Sequence, residues 1–245
     1  GALAAAGALA GSALAPGAFA AADVPAGSAL ITEAPATNPR GEILTSPPAA
    51  PDADAHYVIY LHGAILESQG ADAVHPRFGR YEYRAILDSL AASGAVVLSE
   101  LRSDDTDGEA YASTVEAWVD SLLASGVPPE NVTVIGFSKG GGIAMHACTL
   151  IGEERVNYVF MASCPRNMPS WPEREYRGRI LAIYEGSDTF AGSCRAAVLG
   201  RESDRRVPGV VYEELGIATG LEHGAFYRPL EEWMEPAVSW AFGRS

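Results

Sequence analysis

From His56 onward, short apolar runs alternate with longer segments in which apolar residues recur at helical spacing. The short runs are rich in β-branched residues, and most are apolar throughout, which is typical of parallel strands buried on both faces of a sheet. The predicted strands are HYVIYLHG, AVVLSEL, NVTVIGF, VNYVFMAS, RILAIYEG and GVVYEEL. The predicted helices are YEYRAILDSLAAS, EAYASTVEAWVDSLLAS, GGGIAMHACTLIG and LEEWMEPAVSWAFG. This alternation predicts an α/β fold with a mostly parallel central sheet flanked by helices.

The first twenty residues show a different pattern. Residues 1–20 are small and apolar and end in Ala18-Phe19-Ala20, which resembles the apolar region and cleavage site of a secretory signal without its charged start. We therefore expect an exported protein, periplasmic or secreted, and the alternative is a low-complexity Ala/Gly leader. Glycines and Pro16 interrupt the stretch, which argues against a membrane anchor, so no integral membrane segment is expected in the mature chain.

The next segment connects this stretch to the folded part. Residues 21–55 are rich in Pro and Ala and predict a lead-in with two possible edge strands, SALIT and GEILT. No internal repeat suggests more than one folded domain, and residues 56–245 are assigned to it.

The net charge of the chain indicates which kinds of molecule it can bind. The chain of 245 residues carries a formal net charge of −14, and its basic residues form no patch. Because nucleic acids and anionic membrane surfaces bind clustered cations, neither is expected as a partner, and a small molecule is. We also expect no metal or cofactor, since His and Cys lack zinc spacing and the acidic run SDDTDGE lacks the spacing of a calcium loop. That run is more typical of a helix N-terminal cap.

A G-x-S-x-G pattern spans Gly136 to Gly140, with Ser138 at its centre. The pattern alone is weak, but here it directly follows a predicted strand and directly precedes a predicted helix, which is the setting of a nucleophile elbow. In such a turn the serine has a strained backbone, and the flanking glycines allow strand and helix to approach closely. A phosphate-binding turn is the alternative, but the glycine spacing does not match one.

A serine nucleophile needs a base and a carboxylate that orients it. His223 is the strongest candidate base, because it alone among the five histidines lies in a loop after a late strand. Asp188 follows the strand RILAIYEG in a Gly-Ser-Asp turn and is the preferred acid. Glu185 is the alternative acid, three residues earlier at the strand end, where its side chain has less reach.

Two backbone N–H groups are candidates for an oxyanion hole. His62-Gly63-Ala64 follows the strand that ends in YLHG, where a glycine lets the backbone approach a substrate carbonyl. The N–H of Ala64 would act together with the N–H of Lys139, while an ordinary strand-end turn is the alternative. Only the backbone of Lys139 is needed for this role, so its ammonium group is not assigned one.

Taken together, YLHG, GFSKGG, EGSD and EHG resemble the corresponding motifs of the α/β-hydrolase superfamily, in the same order, over residues 56–245. The chain is most similar to small esterase-type or dienelactone-hydrolase-like members, except that Ser138 stands where dienelactone hydrolases have cysteine. The resemblance implies an α/β-hydrolase fold. It also implies a minimal lid or none, because only CPRNMPSWPEREYRG separates the two strands between which a lid usually enters.

The resemblance also bears on the cysteines. It places Cys164 and Cys194 after neighbouring strands of the sheet, so that a disulfide beside the active site is possible, and two reduced thiols are the alternative. Cys148 lies at helical spacing from apolar residues and is interpreted as a core residue. The long segment 65–84 either shapes a substrate pocket or is a solvated loop.

The resemblance implies a serine hydrolase that cleaves carboxylic esters through an acyl-enzyme. Peptidases, thioesterases and acyltransferases use the same machinery, and the fold does not choose among them. A non-catalytic binding protein on the same fold is a further alternative. Substrate identity and oligomeric state do not follow from the sequence.

Overall fold

The computed structural model describes residues 41–167, 174–200 and 207–244. The proposed signal segment 1–20 and the possible strand SALIT lie outside these residues, so export stays a prediction. Residues 168–173 of the segment expected to hold a minimal lid also lie outside them. Within the described residues, no helix is both long and apolar enough to cross a membrane.

The elements alternate as the apolar pattern predicts. The first half of the chain contains β1 (Ile43–Leu44), β2 (Tyr57–Leu61), α1 (Ile65–Gln69), β3 (Val74–His75), β4 (Gly79–Arg80), α2 (Tyr83–Ala92), β5 (Val96–Leu98) and α3 (Gly108–Ala124). The second half contains β6 (Val132–Phe137), α4 (Lys139–Ile151), β7 (Asn157–Met161), β8 (Cys164–Pro165), β9 (Gly178–Glu185), β10 (Ala191–Gly192), α5 (Arg195–Val198), β11 (Val210–Ile217) and α6 (Glu231–Ala241).

Seven strands form one sheet in the order β1-β5-β2-β6-β7-β9-β11, and all six neighbouring pairs are parallel. The fold predicted from the sequence is therefore confirmed. The edge strand β1 comes from the predicted GEILT, so the lead-in contributes to the sheet. β6, which precedes Ser138, is the central strand.

Helices cover both faces of the sheet. On one face, α3 and α4 pack against each other and against alternate strand residues such as Ile59 and Val134. On the other face, α2 and α6 cover the residues in between, such as Tyr60 and Ile135. Because both faces are covered, the central strands are buried along their whole length, which explains their continuous apolar sequences.

The run SDDTDGE forms the expected helix cap. Asp107 is the N-cap residue of α3, and its carboxylate accepts hydrogen bonds from the N–H groups of Glu109 and Ala110 at 2.8 and 3.1 Å. These bonds lower the pKa of Asp107.

The predicted functional residues follow four parallel strands. His62 follows β2, Ser138 follows β6, Asp188 follows β9 and His223 follows β11. Since the carboxyl ends of parallel strands share one edge of a sheet, the four segments come together there.

Candidate active site

Ser138 lies at a sharp turn between β6 and α4. Its backbone angles are φ 55° and ψ −116°, outside the regions that side-chain-bearing residues usually adopt. Its N–H donates to the carbonyl of Met161 at 2.9 Å, and its carbonyl accepts from the N–H of Gly142 at 3.0 Å. The strained angle is therefore held from both sides, by the neighbouring strand and by the first turn of the helix.

The two flanking glycines have the steric role expected of them. A Cβ atom added to Gly136 would lie 2.3 Å from the carbonyl oxygen of Gly140, and one added to Gly140 would lie 2.0 Å from the carbonyl oxygen of Leu61. Both distances are far below van der Waals contact. Any larger residue at either position would force β6, α4 and the end of β2 apart.

Ser138, His223 and Asp188 form a continuous hydrogen-bonded chain. The distance from Ser138 Oγ to His223 Nε2 is 3.0 Å, and the distance from His223 Nδ1 to Asp188 Oδ2 is 2.7 Å. Since the N–H group at Nδ1 donates a hydrogen bond to Asp188 Oδ2, Nε2 remains an acceptor for the serine hydroxyl. The structure therefore brings together the three residues that sequence reasoning selected.

The Asp188 carboxylate is fully buried and fully hydrogen-bonded. Its Oδ1 accepts from the N–H groups of Phe190 and Ala191 at 2.8 and 3.3 Å. Burial raises the pKa of Asp188, but the hydrogen bond and charge of His223 and the two backbone N–H groups lower it further, so the net shift is downward. The group is thus kept ionised beside the imidazole.

Glu185, the alternative acid, occupies a different position. Its Oε1 accepts from the N–H groups of Thr219 and Gly220, each at 3.0 Å, and its Oε2 accepts from the N–H and hydroxyl of Ser187. Burial raises the pKa of Glu185, but these hydrogen bonds outweigh it and lower the pKa. Glu185 therefore joins the loop that carries Asp188 to the loop that carries His223, a role that was not predicted from the sequence.

The predicted oxyanion segment lies beside the serine. A Cβ atom added to Gly63 would be 3.7 Å from the Cβ of Ser138. The N–H of Gly63 is directed to the hydroxyl of Tyr81 at 3.4 Å, so Ala64 supplies the next N–H along the segment. Lys139 is the first residue of α4, where a helical N–H has no acceptor within the helix.

His62 holds this segment in place. It is completely buried, its Nε2 accepts the N–H of Arg102 at 3.0 Å, and its Nδ1 donates to the carbonyl of Gly63 at 2.8 Å. Burial and the nearby charge of Arg102 lower the pKa of His62 to about 4. The imidazole is therefore neutral, in a single tautomer, at neutral pH.

A buried group of charges lies behind the oxyanion segment. Arg102 Nε contacts Glu67 Oε1 at 2.9 Å, Lys139 Nζ contacts Glu67 Oε2 at 2.5 Å, and the Arg102 guanidinium also donates to the carbonyl of His62. The side chains of Arg102 and Glu67 are 1% and 4% exposed. Glu67 therefore connects the start of α4 to Arg102, which in turn binds the oxyanion segment. The sequence analysis did not predict a role for the side chains of Glu67, Arg102 or Lys139. The only signal in the sequence was that Arg102 stands just after an apolar strand.

Segment 65–84 is not a solvated loop. It contains α1 and the small antiparallel pair β3–β4, and between these two strands Phe78 reaches the mouth of the active site. The hydroxyl of Tyr81 is buried and lies 2.7 Å from the hydroxyl of Tyr60. Because Phe78 and His75 line the cleft above Ser138, these contacts favour the interpretation that the segment shapes a substrate pocket.

A cleft of about 430 Å³ opens above Ser138. Aromatic rings form much of its wall. The residues that line it include His75, Phe78, Ser138, Phe190, His223 and Tyr227. Its size falls within the range usual for small-molecule sites.

The cysteines pair as the resemblance suggested. Cys164 and Cys194 form a disulfide, with their Cα atoms 5.3 Å apart, beside the antiparallel pair β8–β10. The segment that carries Asp188 and Phe190 continues into β10 and reaches Cys194 two residues after that strand ends. The bridge therefore anchors the far end of this segment. Cys148 is unpaired and fully buried in the core, as expected.

No group of three or more His, Cys, Asp or Glu side chains in the described ranges is arranged to hold a metal ion.

Comparison with known proteins adds a partial family match. Residues 96–175 match the phospholipase/carboxylesterase family model. No curated protein sequence gives a significant match.

The chain is also similar in structure to several solved proteins. The esterase Pf2001 of Pyrococcus furiosus is 16% identical with a TM-score of 0.50, covering 77% of this chain and 83% of that one. An esterase/lipase from an uncultured bacterium is 12% identical with a TM-score of 0.50, covering 80% and 77%. SOBER1 of Arabidopsis thaliana is 18% identical with a TM-score of 0.49, covering 78% and 99%.

At these identities the structural similarity concerns the fold, which agrees with the parallel sheet, the elbow and the order of the loops described above. The chain therefore has the α/β-hydrolase fold, and within it residues 96–175 are similar to the phospholipase/carboxylesterase family.

Proposed function

We propose that this chain is a serine hydrolase that cleaves carboxylic esters through an acyl-enzyme. The observation that carries the proposal is the hydrogen-bonded chain from Ser138 Oγ through His223 to the buried Asp188. The description of the matched family, phospholipase/carboxylesterase, supports an ester as the substrate.

The first half of the reaction forms the acyl-enzyme. His223 Nε2 takes the proton of Ser138 as the hydroxyl oxygen attacks the ester carbonyl, and Asp188 stabilises the imidazolium that results. The negative charge that develops on the carbonyl oxygen is stabilised by the N–H groups of Ala64 and Lys139. The tetrahedral intermediate then collapses, and His223 returns the proton to the leaving alcohol.

The second half releases the acid. Water takes the place of the alcohol, His223 accepts its proton, and the resulting hydroxide attacks the acyl carbonyl. The bond to Ser138 Oγ breaks, the serine regains a proton from His223, and the carboxylic acid leaves.

Labelling with a fluorophosphonate tests this proposal, because the reagent reacts with an activated serine. We expect wild-type protein to be labelled and Ser138→Ala to be unlabelled, with an esterase rate reduced by more than about a thousandfold. Ser163→Ala is the matched control, since Ser163 lines the same cleft but donates its hydroxyl to the carbonyl of Met161 at 3.2 Å. It should keep the label.

A folded wild-type protein that takes no label would overturn the proposal. A panel of p-nitrophenyl esters of increasing acyl length, with thioester and peptide substrates beside it, then separates ester hydrolysis from the alternative activities.

A further inference from the structure

Two phenylalanine rings flank the imidazole of His223 at the cleft. The centroid of Phe190 lies 5.8 Å from that of His223, and the centroid of Phe78 lies 6.1 Å from it. The two phenylalanines contact each other edge to face, with centroids 6.2 Å apart and planes at 84°. Phe190 is 56% exposed, so a large part of its apolar ring is available for contact with a substrate.

The ring of Phe78 and the backbone that carries the ring of Phe190 are held by their surroundings. Phe78 packs on Gly224, where an added Cβ would lie 2.8 Å from the Cβ of Phe78, and it contacts Tyr227 edge to face at 5.7 Å. The backbone of Phe190 is fixed by its N–H bond to Asp188 and by its carbonyl, which accepts from the N–H of Arg166 at 2.9 Å. One ring and the attachment point of the other are therefore preformed, which lowers the entropic cost of binding.

The reaction determines which part of the ester meets these rings. His223 Nε2 must reach the oxygen of the leaving alcohol to protonate it, so the alcohol part of the substrate lies on the histidine side of Ser138. The carbonyl oxygen, by contrast, would meet the oxyanion segment at Gly63 and Ala64, where a Cβ added to Gly63 would lie 3.7 Å from the Cβ of Ser138. Phe78 and Phe190, as neighbours of His223, thus surround the alcohol part rather than the carbonyl oxygen.

Three cationic side chains near the rings are already paired. Lys139 is bound to Glu67, and Arg77 is bound to Glu222, the neighbour of His223 in sequence. Arg166 donates to the carbonyl oxygens of Asp188 and Gly186. This leaves a mostly apolar, aromatic surface, which suits an uncharged ring better than an ionic group.

We propose that the alcohol part of the substrate carries an aromatic ring, which packs against Phe78 and Phe190. The inference rests on the proposed function, because it assumes that His223 protonates a leaving alcohol. It deepens that function by naming a substrate class: esters of aryl or arylalkyl alcohols.

The test uses two pairs of esters in which only the aromaticity of one ring changes. Benzyl butyrate and cyclohexylmethyl butyrate differ on the alcohol side, and methyl phenylacetate and methyl cyclohexylacetate differ on the acyl side. Each kcat/KM is divided by the rate constant of hydroxide-catalysed hydrolysis of the same ester, which removes differences in intrinsic reactivity. We expect wild-type protein to prefer benzyl over cyclohexylmethyl butyrate by about three- to tenfold, the range of a specific aromatic contact.

Phe190→Leu tests the origin of the preference. Its exposed position makes unfolding of the variant unexpected, and we expect the benzyl preference to fall to about one. Phe190→Tyr is the matched control that keeps the ring and should keep the preference. Phe78→Leu should lower the preference in the same direction.

Equal normalised values for the two butyrates, or a preference that survives in Phe190→Leu, would overturn the inference. A preference confined to the acyl pair would overturn it as well, because the rings would then face the acyl group. These results differ from failure of the proposed function, in which neither ester pair is hydrolysed and Ser138 takes no fluorophosphonate label.

Discussion

Lys139 shows how one residue contributes through two separate groups. Its backbone N–H starts α4 beside Ser138, whereas its ammonium group binds Glu67 in α1, the helix that follows the oxyanion segment. Glu67 also contacts Arg102, which is fully buried, so the loss of the lysine would leave Glu67 with one cationic partner. The N–H is the group the proposed mechanism needs, and it does not depend on the side chain.

Lys139→Ala is therefore expected to keep substantial activity, with kcat on a p-nitrophenyl ester within about tenfold of wild type, because the variant retains the oxyanion N–H. Steady-state kinetics measure this, and Ser138→Ala serves as the inactive reference. A loss as deep as that of Ser138→Ala would show that the ammonium group takes part in the reaction.

At the scale of elements, the site depends on hydrogen bonds between the loop after β9 and the loop after β11. Glu185, the last residue of β9, binds the turn at Ser187 and the backbone at Thr219 and Gly220 after β11. These contacts set the distance between the segments that carry Asp188 and His223. Glu185 is a positioning residue, because it acts on the proposed reaction only through those segments.

Glu185→Ala should lower the free energy of unfolding by about 2–4 kcal/mol, because it leaves several backbone donors without their acceptor. It should also lower kcat more than it raises KM, since His223 and Asp188 are no longer held in register. Urea unfolding and steady-state kinetics measure the two effects.

Glu185→Gln is the control for this change, because its amide oxygen can still accept from Thr219 and Gly220. We expect it to recover a large part of both losses. If Glu185→Ala loses stability but keeps the wild-type kcat in conditions where it is folded, the residue has a structural role only.

At the scale of the whole molecule, stability depends on pH, because folding shifts the pKa values of several buried groups. In the folded state the pKa of His62 falls from 6.5 to about 4, through burial and the charge of Arg102. The pKa values of Glu185 and Asp188 are also lowered, because hydrogen bonds outweigh burial. In each case the unfolded chain binds protons at a higher pH than the folded chain does, so acid favours unfolding.

The resulting pH dependence has a defined sign. The stability linked to His62 is complete above pH 6.5 and is lost as the pH falls towards 4, a total of about 3 kcal/mol. The carboxylates of Glu185 and Asp188 add a further loss below their ordinary pKa values of 4.5 and 3.8. Urea unfolding at a series of pH values between 7 and 4.5 should therefore show stability falling with pH.

His62→Asn identifies the source of the slope. The variant should be less stable than wild type at pH 7, because the N–H of Arg102 loses its acceptor, but its stability should change less between pH 6.5 and 4.5. Equal slopes for the two proteins would contradict this, because they would mean that folding leaves the pKa of His62 unchanged.

The sequence by itself determined the main strands, the main helices and the order of the functional segments. Apolar runs and helical periodicity are local properties, so they predicted the elements without tertiary information. The same holds for the elbow, because Gly136 and Gly140 are required by the immediate approach of strand and helix. Asp188 and His223 could be selected because chain order and strand ends restrict the candidates to a few residues.

Only the tertiary structure decided how these segments are held together and what surrounds them. Glu67 meets Lys139 across 72 positions of sequence, and Arg77 meets Glu222 across 145. Glu185 and Asp188 are three residues apart, yet one binds the backbone after β11 and the other binds His223. This difference likewise depends on where the end of β11 lies. Such contacts are set by which strands are neighbours in the sheet and how far each loop reaches, and neither quantity is written in the local pattern of apolar and polar residues.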